Sequence, residues 1–166
     1  AVGHCYRCDS VIEPRVSTQW FVKMKPLAER ALEVVKNGKI QITPKRWEKV
    51  YYNWLENIRD WTISRQRVWG VPIPIFYNRE TNEVIYEPEI MDKVIELVKK
   101  EGTDIWWKYE AEEIIGEELL EKYNLKDTPL RKERSIMDVW FDSGSTYASV
   151  VEARPEFNGN SADMYL

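Results

Sequence analysis

The stretch Asp60-Trp61-Thr62-Ile63-Ser64-Arg65-Gln66-Arg67-Val68-Trp69-Gly70-Val71-Pro72-Ile73-Pro74 divides the chain into two kinds of pattern. Before it the apolar residues follow a helical period. Pro26 opens a first helix, Leu27, Ala31 and Val35 fall on one stripe, and Gly38 stops it. Thr43-Pro44 opens a second helix, with Trp47, Val50, Tyr51, Trp54, Leu55 and Ile58 spaced by three, four and seven. Within the stretch, Trp61 to Ser64 predicts a short strand and Val71 to Tyr77 another, which Pro72 and Pro74 confine to an edge. Beyond it, the turn residues Asn78 to Asn82 lead into Val84-Ile85-Tyr86, the pattern of a hairpin. Pro88 to Gly102 predicts a third helix and Glu110 to Tyr123 a fourth, followed by a polar connection from Lys126 to Glu133. Met137 to Phe141 predicts a buried strand, Asp142-Ser143-Gly144 a turn with a short helix after it, and Ala162 to Leu166 a last strand. Residues 1–20 are irregular or β, with a tight turn at Cys5-Tyr6-Arg7-Cys8. Strands alternating with helices point to an α/β sheet.

Composition narrows the function. A chain of 166 residues can build one domain with a real core. Eight Trp and nine Tyr imply a bulky core or faces that meet a partner. The net charge of −4 argues against a general polyanion binder, so any contact with nucleic acid must come from a local basic patch. No run of apolar residues is long enough to span a membrane, and the N-terminus lacks the basic and apolar regions of a signal peptide. Two cysteines make no disulfide framework, and a reducing cytoplasm is the expected location.

Three segments could carry chemistry. Cys5-x-x-Cys8 has the spacing of half a tetrahedral zinc site, but the chain has no further cysteine and His4 is its one histidine. The alternatives are a site whose other ligands lie outside the chain, or a turn with no metal. In residues 60–74, Arg65, Gln66 and Arg67 sit beside Trp69: guanidinium forks suit phosphate and indoles suit stacking on bases. On composition alone, a solvated loop with structural ion pairs is the commoner case. Met137-Asp138-Val139-Trp140-Phe141-Asp142-Ser143-Gly144-Ser145 is an apolar run ending in Asp-Ser-Gly. Ligands gather at such strand ends in α/β sheets. Trp140 is therefore either a wall of an apolar pocket or a core residue beside a capped turn.

Taken together these segments resemble the class I aminoacyl-tRNA synthetases, across essentially the whole chain. DWTISRQRVWGVPIP (60–74) and MDVWFDSGS (137–145) are similar to signatures of isoleucyl-tRNA synthetases, and EARPEFNGNSADMYL (152–166) resembles the stretch that leads into the next part of their catalytic core. Residues 3–58, including RWEKVYYNWLENIRDW to Trp61, are more like valyl-tRNA synthetases, and from Arg67 onward the likeness is to the isoleucine enzymes. The resemblance implies an α/β chain: part of a Rossmann-like catalytic domain over 59–166 with an insertion at 78–135, a helical connection over 21–58, and a post-editing-insertion segment with half a zinc knuckle over 1–20. It implies that Trp140 and Asp142 bind the amino acid. It places Arg65, Gln66, Arg67 and Trp69 near the passage of the tRNA 3′ end between synthetic and editing sites. Cys5 and Cys8 would supply two zinc ligands. A second zinc module found in many relatives would be missing, since 78–83 and 125–134 contain no cysteine.

The expected partners are tRNA, isoleucine, ATP and the remainder of the synthetase chain, with no membrane, and ATP and Mg serve the full-length enzyme. The family's two ATP motifs, His-Ile-Gly-His and Lys-Met-Ser-Lys-Ser, have no counterpart here, so the chain is expected to be an internal piece that is inactive alone. The expected whole is an isoleucine–tRNA ligase. The alternatives are a valine–tRNA ligase and, of another class, a tRNA-binding or inert structural module.

Overall fold

A computed structural model describes residues 2–157 and 164. The chain divides into two compact units, Ala1–Thr62 and Ile63–Leu166. The expected strand at 162–166 falls outside the described residues, apart from Met164.

The first unit begins with a small hairpin. Residues 6–8 turn, His4 bridges Val11, and the amides of Cys5 and Asp9 donate to the carbonyls of Ser10 and Cys5, each at 2.8 Å. Two helices follow, α1 (Lys25–Lys36) and α2 (Glu48–Glu56), the second preceded by a 3₁₀ turn at Lys45–Trp47. Tyr51 Oη donates to the Ala31 carbonyl at 2.9 Å and Lys36 meets Glu56 at 3.2 Å, so the two helices lie side by side. The buried stripe of α1 is Ala28, Leu32 and Val35. Leu27 is exposed and Ala31 half-buried, so the expected stripe is rotated by about one residue, and only Val35 belongs to both. The apolar spacing of α2 is realised, yet Trp47, Val50 and Trp54 remain exposed. Strand β1 (Phe21–Val22) pairs antiparallel with β2 (Trp61–Thr62), and Asp60 Oδ1 accepts the Met24 amide at 3.1 Å at the start of α1.

The second unit is built on a ribbon. Its strands are β3 (Ser64–Arg65), β4 (Phe76–Asn78), β5 (Val84–Ile85), β6 (Leu130–Lys132) and β7 (Ile136–Met137). The hairpin β4–β5 forms as expected, and β4 also pairs with β6, giving the order β5-β4-β6. From β6 the chain runs on antiparallel to 71–75: Glu133 N donates to Ile75 O (2.8 Å), Ile73 N to Ser135 O (3.1 Å) and Met137 N to Val71 O (2.7 Å). This spacing spends the amides of Ile73 and Met137 and leaves Pro72 and Pro74, which have none, outside the donor positions. β7 then pairs with β3. Among the described residues every strand pairing is antiparallel. These strands therefore form a mixed α/β arrangement rather than the alternating α/β sheet expected from the element order.

The helices are α3 (Pro88–Glu101), α4 (Ile105–Lys108), α5 (Ala111–Ile115), α6 (Glu117–Lys122) and α7 (Val139–Thr146). α3 follows the Pro88 and Gly102 signals closely. The expected fourth helix is two, because Gly116 breaks it at φ 82°, a conformation costly for any residue with a side chain. The core gathers Phe76, Ile90, Val94, Trp106, Ile114, Ile115 and Leu130 between the β5-β4-β6 sheet and helices α3 and α5. Phe76 and Trp106 meet at 5.0 Å between ring centroids. Burying one such side chain contributes about 1.5–3 kcal/mol.

Two corrections bear on function. The connection 126–133 contains a central strand, β6, although Arg131 and Lys132 lie in it. The predicted strand at 137–141 ends at Met137, and α7 starts at Val139 with Asp138 as its N-cap. The supposed turn Asp142-Ser143-Gly144 lies inside that helix, and Trp140 stands on its first turn, not in a buried strand.

Candidate functional site

Asp138 organises the site. It is one of two buried polar residues among the described residues, with a side chain 6% exposed. Its Oδ1 accepts the Trp140 amide at 2.8 Å, closing the open end of α7. Its Oδ2 is paired with Arg65 Nη2, and Arg65 Nη1 donates to the Ser64 carbonyl at 3.0 Å. One carboxylate thus ties β3 to the start of α7. Asp138 was not among the residues predicted to matter. The sequence holds a signal for it, an Asp followed by five residues without Gly or Pro, but the apolar character of that run predicts a strand.

A hollow of about 1030 Å³ opens beside this clamp. Arg65, Arg67, Trp69 and Asp142 line it, together with Trp107 and Arg134. Trp69 is 93% exposed, and Arg67 is exposed as well. Burial, and then the negative charge of Asp138, push the Asp142 carboxyl above its ordinary range. Gly70 lets the loop pass close to β7: a Cβ there would lie 2.4 Å from Ile136 Cδ1, and its φ is +152°. Of the predicted residues, Gln66 is directed elsewhere, its Nε2 3.4 Å from Ser135 Oγ. Trp140 is 71% exposed on α7 and does not line the hollow. Sequence reasoning missed Trp107 and Arg134, which lie outside the recognised stretches.

Next to it lies a second hollow, of about 730 Å³, which shares Trp107 and Arg134 with the first. Glu133 on its wall is held well below its ordinary range, at about 2. Burial alone would raise it, but the Tyr77 hydroxyl (2.6 Å) and the amides of Ser135 (2.9 Å) and Arg134 (2.7 Å) donate to the carboxylate and outweigh burial.

At the other end of the chain, Cys5 and Cys8 share one turn, with Cys8 Sγ 3.4 Å from Ser10 Oγ. Hydrogen bonding with Ser10, then with Cys5, lowers the Cys8 thiol below its ordinary value. His4 Nδ1 lies 2.7 Å from the Asp9 carbonyl. Among the described residues no group of three or more His, Cys, Asp or Glu could hold a metal ion. Cys5 and Cys8 are therefore at most half of a tetrahedral zinc site. Among the same residues no helix is long and apolar enough to cross a membrane.

Comparison with known proteins agrees with the resemblance. The family model described as tRNA synthetases class I (I, L, M and V) matches residues 7–166. An isoleucine–tRNA ligase of Actinobacillus pleuropneumoniae is 45% identical over 98% of this chain and 17% of its own length. That of Caldanaerobacter subterraneus is 42% identical over the same shares. A valine–tRNA ligase of Fusobacterium nucleatum is 50% identical over 86% of this chain and 13% of its own length. The chain spans 13–17% of the length of these curated relatives.

Proposed function

We propose, from the premise that this chain belongs to the class I tRNA synthetases (I, L, M and V), that it is the part of an isoleucine–tRNA ligase that receives the tRNA 3′ end and contributes to the amino-acid pocket. The observation that carries this is the convergence of Arg65, Arg67, Trp69 and Asp142 on one hollow. Guanidinium forks bind phosphate, an exposed indole stacks on a base, and a carboxylate receives an ammonium. In this reading Arg67 and Trp69 contact the nucleic acid. Arg65 is a positioning residue, because its charge is taken up by Asp138, which holds the helix carrying Trp140 and Asp142. Trp140 presents an exposed face to an aliphatic substrate, with the other walls supplied by the rest of the ligase. The Rossmann-like organisation belongs to that whole enzyme.

The ligase joins isoleucine to tRNA at the expense of ATP, by attack of a carboxylate on the α-phosphate. The family's ATP motifs lie outside this sequence, so the contribution of this chain is positioning and charge. ATP and magnesium are held elsewhere in the enzyme. Cys5 and Cys8 supply two of four ligands to a zinc ion completed from outside the chain, and Cys8→Ser in the full-length protein lowers its bound zinc. A valine–tRNA ligase is the second reading, favoured by the 50% identity to the Fusobacterium enzyme. Aminoacylation by the full-length protein separates them. Isoleucine should be the preferred substrate, and Trp140→Ala should raise its KM. A preference for valine would overturn the assignment, and an unchanged KM would remove Trp140 from the pocket.

A further inference from the structure

The second hollow carries a charge that the first does not. Arg79, Arg131, Lys132 and Arg134 line it against two carboxylates, Glu110 and Glu133, in a chain whose net charge is −4. Among the described residues none of these four cations makes an ion pair. Both carboxylates are engaged with hydrogen donors instead. Glu110 caps α5 within a capping box, and Glu133 accepts from Tyr77, Arg134 and Ser135.

The wall between the hollows is firmly held. Lys132 Nζ donates to the carbonyls of Trp106 (2.7 Å) and Tyr109, gripping the end of α4. Trp106 is buried at 1% exposure, with its Nε1 donating to the Glu133 carbonyl at 2.9 Å. The next residue, Trp107, is thereby turned outward and is 49% exposed, facing both hollows. Arg131 is fixed with its guanidinium 3.8 Å from the Tyr77 ring centroid and its Nη2 3.2 Å from Asn82 Oδ1. Arg79 and Arg134 are exposed.

We propose that this second hollow is a nucleic-acid backbone site: Arg79 and Arg134 take phosphates of the tRNA acceptor end, and Trp107 stacks on an unpaired base at the ridge leading into the first hollow. The proposal rests on the reading of the first hollow as the place of the tRNA 3′ end. Unneutralised guanidinia beside an outward indole suit a strand with both phosphates and base faces. An acidic peptide would use the cations but give the indole no regular partner.

The test is tRNA binding by the full-length protein between about 50 and about 300 mM salt, where each phosphate contact adds to the salt slope. Arg79→Gln and Arg134→Gln should each lower that slope by about one, and Arg79→Lys and Arg134→Lys should restore it. Trp107→Ala should weaken binding by about 5- to 150-fold, the range for one stacked base, with Trp107→Phe recovering most of it. Arg67→Gln separates the two claims. If it lowers the slope while Arg79→Gln and Arg134→Gln leave it unchanged, the second site is refuted and the first stands. If all three leave it unchanged, both fail. These three arginines are exposed, and a thermal melt of each variant confirms that the fold is kept.

Discussion

Replacing Asp138 should loosen α7 in two separable steps. Asp138→Ala removes the N-cap of α7, which costs about 1 kcal/mol, and the partner of Arg65. A hydrogen bond to a charged group contributes about 1.5–3 kcal/mol. The Arg65 side chain is 39% exposed and partly screened, so the lower end applies. The sum is about 2.5 kcal/mol, an increase of about 60-fold in the open population of the helix, at tenfold for every 1.4 kcal/mol. Asp138→Asn keeps a capping oxygen and loses only the charge, so about 1.5 kcal/mol, or roughly tenfold, is expected. Amide hydrogen exchange in the full-length protein, read on the peptide covering Val139–Thr146, measures both against the unsubstituted chain. The helix carries Trp140 and Asp142, so the KM for isoleucine should rise in the same order. Equal protection of that peptide in all three proteins would refute the clamp. Equal loss in the Asn and Ala variants would refute the separation of cap from charge.

Acid stability provides another check. The Glu133 carboxyl is lower in the folded state, about 2, than its ordinary 4.5. Its contribution is therefore fully present above about pH 4.5 and is lost as pH falls toward 2. Glu133→Gln should flatten that part of the stability–pH curve measured by denaturant unfolding, and Tyr77→Phe should shift it upward in pH; an unaltered curve would count against the role of the donors around that carboxylate. Gly70→Ala places a methyl 2.4 Å from Ile136 Cδ1 and asks an L-residue to hold a φ of +152°. A loss of about 1–3 kcal/mol is expected, with a weaker grip on tRNA as the loop moves from β7, and unchanged melting and binding would show that the loop yields freely.

What the sequence discloses depends on how local the cause is. Pro88 and Gly102 mark α3 because a helix start and stop are decided within a few residues. The β4–β5 hairpin is legible for the same reason, since Asn78 Oδ1 accepts the amides of Glu80 and Thr81 within the turn. β6 is hidden because its polar residues are satisfied at a distance, Arg131 by the Tyr77 ring and Lys132 by the carbonyls of α4. The start of α7 is obscured because its local cap, Asp138 to the Trp140 amide, opens an apolar run that suits a strand equally well, while the contact that holds Asp138 comes from Arg65, 73 positions earlier. The same distinction governs the site. Arg65, Arg67, Trp69 and Asp142 stand in sequence signatures and share a hollow, whereas Gln66 and Trp140 stand in the same signatures and lie off it. Trp107 and Arg134 carry no signature, and only the folding of α4 against β6 brings them there.

The most direct measurement is a binding cycle on the full-length protein, comparing intact tRNA with tRNA lacking its single-stranded 3′ end, each against unsubstituted enzyme and Arg67→Gln. If the first hollow receives the 3′ end, Arg67→Gln weakens binding of intact tRNA and leaves the shortened tRNA almost unaffected, so the two losses do not add. The same loss with both tRNAs would place Arg67 on some other part of the nucleic acid and contradict the site.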